Sequence, residues 1–255
     1  MKRFTFLVLI SCLFVVSVEA QTKVICHRGF WLTPESAQNS LSSFSKADSI
    51  GAYGSEFDVW MTTNGKLVVN HDRVFKGVNM VTSRYSEIRN VLLDNGEQIP
   101  TLNEYLRNAK KHPNIHIILE FKSLPSFSRE DEAVKKIVKR IKRYKLLDRT
   151  EFIAFSLNAC LAYRKYSPSA KVYYLGGDIT PKKCKSFGFA GIDYSINAMD
   201  RHPTWVKDSH RLGLEVNIWT IDKKEDMKKY ISQGADYITT NYPVLLQSLI
   251  KKNTK

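Results

Sequence analysis

The chain is predicted to fold as an α/β protein, a (β/α)8 barrel of the TIM type with a small hairpin and loop insertion after its second strand. Three observations predict it. Eight short apolar runs alternate with helical or turn-rich segments along residues 21–255, the pattern of a parallel sheet with crossover helices. A ninth run, 67–70, follows its predecessor after a turn far too short for a parallel crossover, so it is a hairpin arm. Finally, His27, Arg28, Glu56, Asp58, Glu120, Lys122, Asn217 and Trp219 fall at or near the carboxyl ends of separate runs. A doubly wound open sheet shares the alternation. Polar residues gathered on that one face favour the barrel, where active sites are built.

The first run, Lys23 to His27, ends in Cys26-His27-Arg28-Gly29. Leu41, Phe44, Ala47 and Ile50 then recur at helical spacing. Glu56, Asp58 and Trp60 alternate with Phe57, Val59 and Met61, which in a strand puts both acids on one face. Thr63-Asn64-Gly65 is a turn signal, and pairing about Asn64 sets His71 opposite Phe57, beside the acids. Weak periodicity marks an insertion over about 62–98. Thr101 caps the next helix with Glu104 three residues on. The run 115–122 places Glu120 and Lys122 on one face, and the helix from 130 to 144 carries Ala133, Ile137, Val138 and Ile141 on one stripe. Runs at 152–155, 172–175, 191–194, 216–219 and 237–240 complete the eight, before a terminal helix over 244–251.

At 43% hydrophobic the chain can bury a barrel-sized core. Lys2 and Arg3, the apolar run 4–18 and Val18-Glu19-Ala20 form a secretory signal peptide, so the mature domain is expected over 21–255 and the protein to be exported, periplasmic or extracellular. An alternative is a lipoprotein anchored through Cys12, after Leu9-Ile10-Ser11. No later stretch is long enough to span a bilayer, so no stable membrane insertion is expected. The formal charge of +14 would draw anionic substrates or surfaces. No recognition motif accompanies it, so nucleic acid is not an expected partner. Cys26, Cys160 and Cys184 show neither a disulfide framework nor zinc spacing.

Two carboxylates side by side on a strand repel each other unless a cation lies between them, and oxygen donors suit a hard ion. Together HRG at 27–29, EFDV at 56–59, NHD at 70–72, IPTL at 99–102, LEFK at 119–122, NIWT at 217–220 and GADYITTNYP at 234–243 resemble the glycerophosphodiester phosphodiesterase family. The resemblance implies a single divalent metal, Ca²⁺ or Mg²⁺, on Glu56, Asp58 and Glu120. It implies His27 and His71 as the acid-base pair, Arg28 and Lys122 as phosphate holders, and a small phosphodiester split into glycerol 3-phosphate and an alcohol. Trp219 is expected to line the head-group pocket, with Trp31 and Trp60 extending its mouth. Two departures stand out. Gln38-Asn39-Ser40 takes the place of the usual PENT segment, and Asn241 stands where aspartate is common, as a helix cap. The competing readings are a phospholipase on intact lipid, needing an apolar lip for which the insertion offers Val78, Met80 and Val81, and a non-catalytic barrel binding polyanions. Head group, oligomeric state and the division of labour between the histidines are not specified by the sequence.

Overall fold

β-Branched and aromatic residues dominate the short strands, and a strand buried on both faces has to be covered by helices on one side and closed on itself on the other. The computed structural model describes residues 21–253 and shows that solution. The expected signal peptide and Cys12 lie outside the described residues. In chain order, β1 (Lys23–Cys26) leads to α1 (Leu41–Ser49) and β2 (Gly54–Met61), which turns back into the antiparallel β3 (Leu67–Val69). The insertion adds a hairpin, β4 (Val74–Phe75) with β5 (Val78–Asn79), and one helical turn, α2 (Tyr85–Ile88), ahead of α3 (Leu102–Ala109). Strand and helix then alternate as β6 (His116–Phe121), α4 (Phe127–Tyr144), β7 (Thr150–Ala154), α5 (Leu157–Tyr166), β8 (Lys171–Tyr174), α6 (Pro181–Ser186) and β9 (Gly191–Ser195). The pair α7 (Ile196–Arg201) and α8 (Trp205–Arg211) precedes β10 (Glu215–Trp219), α9 (Lys224–Ser232), β11 (Tyr237–Thr240) and α10 (Pro243–Asn253).

The parallel order is β1-β11-β10-β9-β8-β7-β6-β2, and β2 pairs back onto β1 to close the barrel. Alternation splits the core in two. Cys26, Phe57, Val59, Leu119 and Phe121 face the helices in one continuous cluster. Ile25, Ile118, Ile153, Tyr173, Leu175 and Tyr237 pack inside the barrel. Beneath them Tyr53 donates to Glu151 at 2.5 Å and Tyr237 to Glu215 at 3.2 Å, so the amino-terminal end is plugged. The functional end is therefore the other one.

Thr101 begins α3 as its sequence signature requires: Glu104 N–H donates to Thr101 Oγ1 at 3.3 Å, and Thr101 N–H donates to Glu104 Oε2 at 2.8 Å. Thr101→Ala removes one half of this reciprocal cap and should cost about 1 kcal/mol, seen as a melting temperature lower by roughly 2–4 °C with turnover unchanged. A variant melting with the parent would show that the cap adds nothing.

Candidate active site

The first loop is built around a backbone that few residues accept. Arg28 and Gly29 both lie in the left-handed region, at φ 56° and 80°. A Cβ on Gly29 would sit 2.3 Å from Ser43 Oγ, which is why only glycine fits. This turn aims the Arg28 N–H at Glu56 Oε2 (2.8 Å) and swings its guanidinium onto Gln38 Oε1. Asn39 donates to Asp58 Oδ2 at 2.8 Å and accepts from the Asp58 N–H at 3.0 Å, and Ser40 caps α1 through the Ser43 N–H.

The hairpin keeps the expected register: Met61 pairs with Leu67, Trp60 with Val68 and Val59 with Val69, and the Asn70 N–H still reaches the Asp58 carbonyl at 3.1 Å. Asp58 is also the register partner of Glu120 on β6. One carboxylate oxygen from each of Glu56, Asp58 and Glu120 therefore falls within 4.8 Å of the others, and all three residues are buried. Lys122 lies between two of them, 2.8 Å from Asp58 Oδ1 and 2.6 Å from Glu120 Oε1, the latter a charge contact rather than an aligned hydrogen bond.

Burial, then Asp58 and Glu120, hold the Glu56 carboxyl well above the usual range. Burial and Asp58 likewise push Glu120 up, to about 8, against the pull of Lys122. Asp58 is the exception. Burial opposes its ionisation too, but Lys122 and His71 outweigh burial and hold it low. Glu56 Oε1 is buried with no hydrogen-bond partner. Three hard donors, one with a buried oxygen that no hydrogen bond satisfies, suit a divalent cation.

His27, one step past β1, and His71, after the hairpin, both line the pocket of about 140 Å³ above these acids, with Arg28, Glu56, Glu120 and Lys122. Arg28 Nε is buried without a hydrogen-bond partner, 4.0 Å from Asp58 Oδ2, so part of its hydrogen-bonding capacity is open. The opposite wall is Ile153, Phe155, Leu175 and Trp219, with Asp193 and Asn217 also lining the pocket. Phe155 and Trp219 meet edge to face at 5.6 Å.

The profile of the Glycerophosphoryl diester phosphodiesterase family matches residues 27–245. The chain belongs to that family. As a glycerophosphodiester phosphodiesterase it is an enzyme, a phosphoric diester hydrolase. It is similar to a glycerophosphodiester phosphodiesterase from Caldanaerobacter subterraneus subsp. tengcongensis, 27% identical over 91% of this chain and 99% of that one. The crystal structure of a glycerophosphodiester phosphodiesterase from Parabacteroides distasonis is 42% identical, covers 93% of this chain and all of that one, and superposes with a TM-score of 0.92. An Oleispira antarctica phosphodiesterase solved with the product sn-glycerol-3-phosphate shares the fold at 23% identity and a TM-score of 0.78, over 91% and 97% of the two chains.

Two expectations for this phosphodiesterase need correcting. Trp60 does not extend the mouth. It is buried in the main core, and its indole N–H holds the His71 carbonyl at 3.2 Å. Asn241 does not cap α10, which starts at Pro243: its side-chain oxygen meets His27 Nδ1 at 2.9 Å and the Trp31 indole N–H at 3.1 Å, while its amide donates to Asp222 Oδ2 at 2.7 Å. Trp31 is thereby linked to His27 through the Asn241 oxygen. Phe155 and Asp193 were not anticipated as pocket residues, although period-two counting along 152–155 and 191–194 points both inward. Away from the pocket, His112 and His210 pair with Asp48 and Asp236, and His202 stacks on Trp205.

Proposed function

We propose that this enzyme binds one divalent cation on Glu56, Asp58 and Glu120 and hydrolyses glycerophosphodiesters to glycerol 3-phosphate and an alcohol. The single observation that carries the reading is the pocket that brings two histidines, two basic side chains and the carboxylate cluster together. When bound, the cation would supply charge stabilisation to the phosphoryl oxygens. Arg28 and Lys122 hold the non-bridging oxygens, where negative charge develops. A proton must leave the attacking oxygen as the phosphorus–oxygen bond to the alcohol breaks, and a proton must reach the departing oxygen. His27 suits the first task. Burial, then Arg28, lower its pKa to about 4, so it is a neutral acceptor near pH 7. His71 suits the second, because Asp72 Oδ1, 2.8 Å from its Nδ1, supports the imidazolium that burial disfavours. The glycerol or head group rests against Trp219. The leader at residues 1–20 makes the enzyme an exported one, its mature chain beginning near Gln21.

A second reading, intact lipid as substrate, is favoured by one observation. The insertion does not supply the lip, since Met80 is buried and Val78 and Val81 pack against the core. Phe127 (74% exposed), the first residue of α4, and Phe155 (45% exposed), just past β7, stand out instead, and Glu130 ties the two segments by accepting from the Leu124 N–H and the Ser156 hydroxyl. The polyanion-binding alternative is set aside by membership of an enzyme family.

One assay separates these readings. The mature protein is offered glycerophosphocholine, glycerophosphoethanolamine, glycerophosphoinositol and vesicles of intact phospholipid, with EDTA and then added Ca²⁺ or Mg²⁺. Release of glycerol 3-phosphate from the soluble diesters, lost in EDTA and restored by a cation, is the expected result. Turnover confined to vesicles would favour the lipid reading. Silence on every substrate by folded, cation-loaded protein would sink both.

A further inference from the structure

Barrel closure brings the two ends of the chain side by side. Cys26 pairs with Thr240, and the His27 N–H donates to the Thr240 carbonyl at 3.0 Å, so His27 and Asn241 are the next neighbours along the seam between β1 and β11. What Asn241 does there is over-determined. An indole N–H can only donate, and an ionised carboxylate can only accept. Trp31 Nε1 meets Asn241 Oδ1 and Asp222 Oδ2 meets Asn241 Nδ2, so the amide has one orientation, oxygen toward His27. Asp222 secures the same residue through its backbone, accepting from the Asn241 N–H at 2.9 Å and from the Thr240 hydroxyl at 3.1 Å. An oxygen facing His27 Nδ1 at 2.9 Å requires a hydrogen on that nitrogen. In the neutral ring the lone pair is then on Nε2.

The geometry points to Asn241, clamped between Asp222 and Trp31, as a positioning residue that fixes His27 in its Nδ1–H tautomer and leaves Nε2 as the proton acceptor. This deepens the reading of His27 as the base and rests on it for its catalytic consequence. A free imidazole ring would sample both tautomers and rotate. Here the wrong tautomer, Nε2–H, would turn the Nδ1 lone pair toward the Asn241 oxygen and leave that oxygen one donor short.

The test is long-range proton–nitrogen correlation NMR on protein labelled with ¹⁵N-histidine at about pH 7, the His27 signals being assigned from their loss in His27→Gln. A pyrrole-type Nδ1 with a pyridine-type Nε2 is expected in the parent. Asn241→Ala should mix the tautomers and lower kcat about 10–10²-fold, a share of what a positioned base contributes, with KM within about twofold. Asn241→Asp, which keeps an acceptor oxygen in place, should retain the Nδ1–H pattern. Asp222→Ala leaves the amide present but unclamped and should also mix the tautomers, so it carries the test if Asn241→Ala does not fold. An Nε2–H ring in the parent, or a pattern unmoved in both alanine variants, would overturn the inference. So would a shifted tautomer with kcat intact. Full turnover by His27→Ala would instead remove the base reading alone, since the NMR readout does not depend on turnover.

Discussion

His27→Ala is expected to lower kcat for glycerophosphodiester hydrolysis about 10²–10⁴-fold while KM changes little, the loss of a proton acceptor that acts on the attacking oxygen in the transition state. His71→Ala should cost as much on the leaving side. The pH profile gives the sign. A base works unprotonated, and burial with Arg28 holds the His27 pKa at about 4. Activity limited by His27 should therefore persist well below neutral pH and fall only as pH drops through about 4, rather than near the ordinary histidine value of 6.5. Steady-state rates of both variants and the parent check this. A fully active double variant would end the two-histidine mechanism.

The barrel and its acid cluster were legible because both follow from period two. Glu56 and Asp58 alternate with Phe57 and Val59, so packing the apolar pair on the helices turns the acids inward, and Glu120 arrives from the adjacent strand in register with Asp58. The hairpin register was equally readable, since a short turn leaves little freedom. Trp60 was misread for a physical reason. Alternation gives it the same side as the acids, but β2 runs on to Met61 and pairs there with β3, so the indole finds the His71 carbonyl and core rather than open pocket. The partnership of His27 with Asn241 and Trp31 was out of reach. It exists only once the barrel closes, and no local pattern near His27 points to a residue at the far end of the chain.

The carboxylates make the second large prediction, one about stability. A carboxyl whose folded pKa exceeds its unfolded value contributes stability below the unfolded pKa and loses it as pH rises toward the folded one. Glu120, pushed from 4.5 to about 8, and Glu56, pushed up by burial and its neighbours, both behave this way. Buried Asp193, raised to about 7, adds to the trend. His27 and His71 are shifted down, so their effect has the opposite sign and is confined below about 6.5, leaving the range above it to the carboxyls. Cation-free protein should accordingly lose about 2 kcal/mol between pH 6.5 and 8, a fall of roughly 4–8 °C in melting temperature. Cation binding needs the ionised acids and favours the folded state, so Ca²⁺ or Mg²⁺ should raise the melting temperature, more at pH 8 than at 6.5. Glu120→Gln removes one charge of three. It should flatten the cation-free curve, abolish most of the cation-induced rise and take turnover with it. Melting curves with EDTA and with saturating cation at both pH values decide the matter. A cation-free protein that is as stable at pH 8 as at 6.5, and indifferent to added cation, would mean that Lys122 on Asp58 and Glu120 and the Arg28 N–H on Glu56 suffice for the three acids, which are then no metal site.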